Sequence, residues 1–125
     1  MITGSVNAFR EALIRLVVVG EAGEEQEVEA VVDTGYTGAL SLPPALIKEL
    51  NLPFVQRGSA ELADGSISVF DIHDGVVLWG DRRQRVAVDS VETDPLLGMS
   101  LLYGFELTIE VIEGGSVSLR QLKES

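Results

Sequence analysis

Apolar and polar residues alternate with a period of two along much of this chain. Within 26–32, Val28, Ala30 and Val32 fall on one side and Glu27 and Glu29 on the other, the pattern of a half-buried strand. Within 105–112, Leu107, Ile109 and Val111 fall inward and Glu106, Thr108 and Glu110 outward. An apolar segment opens at Ala8 and ends in Leu13-Ile14-Arg15-Leu16-Val17-Val18-Val19, rich in residues that favour the extended backbone. Gly20-Glu21-Ala22-Gly23 turns it into the alternating strand. Residues 55–63 and 66–72 bracket Asp64-Gly65, a strong hairpin signal. Further strands are predicted over 76–79 and 85–89, with a turn at Gly80-Asp81-Arg82-Arg83 between them. A last strand, 117–119, follows Gly114-Gly115.

Two places break the period. Ala39-Leu40-Ser41-Leu42 reads as a short strand stopped by Pro43-Pro44. Pro44 suits the first turn of a helix, and Leu46, Ile47 and Leu50 then share one helical face before Asn51 and Pro53 end it. Downstream, Asp94-Pro95 interrupts the chain, Leu96-Leu97-Gly98 follows, and 99–103 is compatible with a short helix. Residues 1–7 are small and polar and give no clear preference. Residues 121–125 are polar and predicted to fray. Short strands, glycine turns and one or two short helices predict one all-β, barrel-like domain over 1–125.

Composition narrows the chemistry. A chain of 125 residues suits one domain with its own core. It has no cysteine and one histidine, which excludes disulfides and a Cys/His zinc site. Asp71, Asp74, Asp81, Asp89 and Asp94 lack the spacing of a calcium loop, so neither a metal nor a cofactor is expected. Gly20 and Gly23 do not make a dinucleotide fingerprint. No run approaches the about 20 apolar residues of a membrane span, and no basic-then-apolar leader opens the chain. No membrane association is expected, and a cytoplasmic location follows as the expectation. The formal charge of −11 repels phosphate backbones and argues against nucleic acid. It serves solubility or, functionally, a preference for basic substrates.

The stretch that gathers the rest around it is Val31-Val32-Asp33-Thr34-Gly35, followed by Tyr36-Thr37-Gly38. A buried strand ends there in a tight loop, with Asp33 at its mouth. Such a place is poor for a merely solvating charge and good for a carboxylate whose proton affinity is tuned. Without wider context, Asp33 is a turn or cap carboxylate.

The wider context is a resemblance. Val31-Val32-Asp33-Thr34-Gly35 resembles the active-site signature of aspartic proteases. The short single-copy form is similar to the retropepsin-like group, and more closely to its small prokaryotic, clan AA members. Leu96-Leu97-Gly98 matches the second apolar-glycine element that closes the base under the loop in that family. The likeness spans roughly 6–122. It implies a closed acid-protease barrel with one or two short helices, functional as a homodimer, that cleaves a polypeptide substrate without a cofactor. Asp33 would be the catalytic acid, Thr34 would brace the partner's loop, and Gly35 would leave room for water and substrate. The hairpin around Ala63, Asp64, Gly65 and Ile67 would be the flap over the bound peptide. Val32, Thr37 and Leu97 would complete the substrate-binding set.

One Asp-Thr-Gly per chain is what makes a dimer necessary on this reading. Metal-free hydrolysis needs one ionised carboxylate to activate water and one protonated carboxyl to polarise the scissile carbonyl. A two-fold axis supplies the second from another copy.

Two positions depart from the family pattern. Tyr36 stands where alanine or serine is usual, so its ring either narrows the cleft or points outward. Met99 and Ser100 stand where the retroviral pattern has a dimer-tying arginine. The other reading of the same residues is a catalytically silent dimerisation or peptide-binding module. His73 has no Gly-x-Ser-x-Gly elbow to serve and reads as an exposed or half-buried strand residue. Trp79 and Phe105 read as packing.

Overall fold

The computed structural model describes residues 1–123. In chain order its elements are β1 (Ile2–Val6), β2 (Ala12–Val19), β3 (Glu25–Val32), β4 (Leu40–Leu42), α1 (Pro44–Glu49), β5 (Phe54–Glu61), β6 (Ile67–Trp79), β7 (Arg82–Ser90), β8 (Leu96–Leu97), α2 (Met99–Leu102), β9 (Phe105–Ile109) and β10 (Ser116–Gln121). The protein is mostly β-sheet with two short helices, in the all-β class anticipated from the alternation.

The strands hydrogen-bond in the order β5-β6-β7-β4-β8-β3-β2-β1-β10-β9, and β6 pairs in addition with β2. The ladder therefore returns on itself through Val17, Val18 and Val19 of β2 against Leu78, Val77 and Val76 of β6. Inside the bend lies one cluster of buried side chains that includes Ile14, Val18, Leu40, Leu42, Val77, Val88, Leu97, Val117 and Leu119, each fully buried. Ile47 and Leu50 add the apolar face of α1, with proline at its start and Asn51 at a positive φ of 52° at its end.

Several elements differ from the sequence pattern, each for a local reason. Residues 1–7 contain β1, held by β2 on one edge and β10 on the other. The segment from Ala8 starts not as strand but as a turn, in which the Asn7 side chain accepts the N–H groups of Phe9 and Glu11. The two runs 66–72 and 76–79 are one continuous strand, β6. β7 pairs it without interruption from Ile72 to Trp79, Gly75 opposite Val86, while β5 takes the other edge up to His73 and β2 takes it from Val76 to Leu78. The turn after β6 needs only Gly80 and Asp81, so β7 starts at Arg82 rather than Arg85.

The 105–112 alternation stops at Ile109. There the Glu110 carboxylate accepts the Ser116 N–H (3.0 Å) and hydroxyl (2.6 Å), closing a loop. Val111, placed inward by the pattern, is 72 % exposed. At the chain end, Gln121 is paired in β10 and the Leu122 N–H donates to the Gly104 carbonyl. Glu124 and Ser125, also expected to fray, lie outside the described residues.

Candidate active site

Val31 and Val32 end β3 in parallel register with Leu96 and Leu97 of β8. On its other side, β8 runs antiparallel to β4, Leu40 opposite Leu97 and Ser41 opposite Leu96. β8 thus lies between two strands that the chain joins directly, and the 33–39 loop passes from one to the other across its end. The buried Ser41 hydroxyl accepts the Leu96 N–H at 3.3 Å.

The loop is stitched to this base along its length. The Asp33 N–H donates to the Leu97 carbonyl at 2.9 Å, and the Val31 N–H to Pro95 at 2.9 Å. After β8, the N–H groups of Gly98, Met99 and Ser100 donate to the carbonyls of Ala39, Tyr36 and Gly38 at 2.9, 2.8 and 3.1 Å. The Ser100 hydroxyl donates to the Thr37 carbonyl at 2.7 Å. Met99 and Ser100 therefore tie the loop within the chain.

Asp33 is half-buried, and Oδ1 accepts the Gly35 N–H at 2.9 Å. This bond orients the carboxylate and leaves its other oxygen uncommitted to it. Thr34, Gly35 and Thr37 are exposed around it, and Val32 is half-buried beneath. Leu97 is fully buried. Its side chain supports the loop from below and presents no wall to a substrate in this conformation.

Tyr36 turns inward rather than outward. Its half-buried ring lies against Gly38 and Gly98, and its hydroxyl donates to Asp89 Oδ2 at 2.5 Å. Burial first, and then the adjacent Asp89 carboxylate, push the phenol well above the ordinary tyrosine range. Sequence reasoning weighed Asp89 only among the acids that lack the spacing of a calcium loop and missed this partnership. Only a β7 ending level with β4 brings the two together, Ser41 lying beside Asp89.

Ala63, Asp64 and Gly65 sit at the exposed tip of the β5–β6 hairpin. The loop is three residues long rather than two. The Leu62 N–H donates to the Ser66 carbonyl (2.7 Å), and Gly65 has a φ of +86°, the position such loops assign to glycine. Asp64 Oδ1 accepts both the N–H (2.9 Å) and the hydroxyl (2.6 Å) of Ser66, which hold its carboxyl below the usual range. Nearly every β5 residue is exposed, and Leu62, Ile67 and Val69 are exposed apolar residues near the tip. The tip bonds within its own hairpin, and these contacts do not join it to Asp33.

The other singled-out residues lie away from the Asp33 loop in the pairing order. His73 is half-buried, donates from Nδ1 to the Leu52 carbonyl at 2.8 Å and meets Phe54 edge-on. Trp79 is buried against Phe105. Among the described residues no helix is long and apolar enough to cross a membrane, and no cluster of His, Cys, Asp or Glu is arranged to hold a metal ion. Neither any family model nor any curated protein matches the chain.

Proposed function

We propose that the chain is a retropepsin-like aspartic endopeptidase that acts as a homodimer, with one Asp33 from each copy. The observation that carries this reading is the seating of Asp33. It stands at the end of a core strand, its backbone is fixed by Leu97, and one carboxylate oxygen is fixed by Gly35 while the flanking Thr34 and Gly35 remain exposed. The returning β2–β6 pairing supports the closed acid-protease barrel. The long, exposed β5–β6 hairpin supports the flap.

In the dimer, two Asp33 carboxyls share one proton, because like charges this close do not both ionise. The ionised carboxylate takes a proton from a water, whose oxygen attacks the scissile carbonyl. The protonated carboxyl stabilises the oxygen that becomes negative, and a proton then passes to the departing nitrogen. The two apparent pKa values of activity would belong to the pair. The substrate would lie extended beneath the flaps, held by backbone hydrogen bonds, and the chain's charge of −11 favours basic segments.

The test compares wild type with Asp33→Asn on a diverse peptide library, read by mass spectrometry from acid to neutral pH, alongside sedimentation. Cleavage lost in the variant, with dimerisation retained, supports the reading. Dimeric wild type that cleaves nothing across that range points instead to the silent binding module. A strictly monomeric wild type removes the protease and the dimerisation module alike.

A further inference from the structure

A cleft of about 890 Å³ opens between the β6–β7 turn, the start of β9 and the end of β10. Its construction departs from the rest of the core in one respect. On β7, the inward-facing positions Val88 and Val86 are buried, and the same face continues into Gln84 and Arg82, which are exposed and line the cleft. On β10, buried Val117 and Leu119 are followed in the same register by Gln121, also a lining residue. Two core rows thus end in polar groups at one opening, the kind of mouth where sheet proteins hold small ligands.

The floor supplies a second, independent observation. Trp79 is 4 % exposed, and its indole N–H has no acceptor among the described residues. A buried donor without a partner is costly. Trp79 is the register partner of Arg82, so the two side chains leave the same face of the hairpin. Phe105 packs edge-on against the indole, with ring centres 5.9 Å apart, and is itself half-buried, so it gives the cleft an apolar surface. Asp81 is a carboxylate on the rim and Lys123 a second cation.

We propose that this cleft is a binding site for a carboxylate carried on an apolar chain. The apolar stem would lie on Phe105, with buried Trp79 and Leu119 behind it. The carboxylate would accept from the Trp79 indole N–H and the Arg82 guanidinium, with the amides of Gln84 and Gln121 as further donors. This assignment does not rest on Asp33 or on the protease reading.

The chain contains one tryptophan, so its indole N–H gives a single resonance. The experiment titrates octanoate into the ¹⁵N-labelled protein and follows that resonance, with octylammonium and octanol as the comparison probes. The expected result is saturable displacement by octanoate. Arg82→Gln should weaken binding by about tenfold, the loss of one charge-assisted contact, and the comparison probes should bind at least about tenfold more weakly. Arg82 is exposed, so its replacement leaves the core intact. An indole resonance unmoved by octanoate overturns the site. Equal affinity for octanol or octylammonium, or undiminished octanoate affinity in Arg82→Gln, overturns the carboxylate assignment.

Discussion

Tyr36 and Asp89 are 53 positions apart in sequence and share a 2.5 Å hydrogen bond, phenol to carboxylate, in a half-buried setting. The bond ties the loop that carries Asp33 to β7. A hydrogen bond to a charged group contributes about 1.5–3 kcal/mol, so Tyr36→Phe should lower unfolding free energy by roughly that amount. Urea denaturation at neutral pH measures it. The pH dependence follows from the raised phenol. Its stabilisation is fully present below the ordinary tyrosine value of about 10 and is lost as pH rises above it. Wild type should therefore lose stability on the alkaline side more steeply than Tyr36→Phe. Parallel alkaline limbs would mean that the phenol is not held by Asp89 in solution.

Gly98 is fixed by space rather than by its backbone angles. A Cβ there would stand 2.2 Å from the Gly38 carbonyl oxygen and 2.7 Å from that of Tyr36. Both carbonyls already accept loop-stitching bonds, so they have little freedom to retreat. Gly98→Ala should cost about 3 kcal/mol and displace the Asp33 loop. Gly104→Ala is the control. Gly104 has a φ of +90° but open space around it, and the left-handed conformation alone costs about 1–2 kcal/mol. Thermal or chemical unfolding of the two variants should rank Gly98→Ala as the more damaging. The reverse order would show that the loop relaxes away from β8 easily.

Much of this arrangement was legible in the residues, because period-two burial and turn chemistry are local. β3, β4, α1 and the hairpin around Asp64 could be read from their own sequences. What was not legible depended on neighbours. The runs 66–72 and 76–79 read as two strands, yet β7 pairs continuously from Ile72 to Trp79 and makes them one. Val111 continued an alternation that the Glu110–Ser116 bonds end. The base beneath Asp33 was expected only through the resemblance that Leu96-Leu97-Gly98 carries, since two apolar residues before a glycine also occur at Val18-Val19-Gly20, which is an ordinary turn. The direction of the Tyr36 ring was not, since no local rule pairs position 36 with position 89.

The hairpin tip should respond to acid through Asp64. Its carboxyl is held below the ordinary value first by the Ser66 hydroxyl and then by the Ser66 amide. A lowered carboxylate contributes order that is present above its unfolded value of about 4 and is lost as pH falls through its lowered one. Amide-exchange protection at Leu62 and Gly65, whose N–H groups close the turn, should be reduced in Asp64→Ala at neutral pH. Acidification should bring wild type toward the variant. Equal protection in the two proteins at neutral pH would remove Asp64 as the clasp of the tip.

Whether two Asp33 loops meet can be tested separately from catalysis, because the chain contains no cysteine. Thr34 is exposed beside Asp33, and a two-fold axis between the loops would bring each position 34 close to its own copy. A disulfide forms only when the two Cα atoms approach within about 7 Å. Thr34→Cys should therefore cross-link rapidly to a dimer under mild oxidation, whereas Ser118→Cys, on β10 far along the ladder from β8, should not. Non-reducing electrophoresis and mass spectrometry distinguish the outcomes. Rapid cross-linking at 34, with no peptide cleavage by the wild type, would retain the dimer and discard the protease. Dimerisation in solution with no cross-link at 34 would place the contact elsewhere and leave each Asp33 without its counterpart.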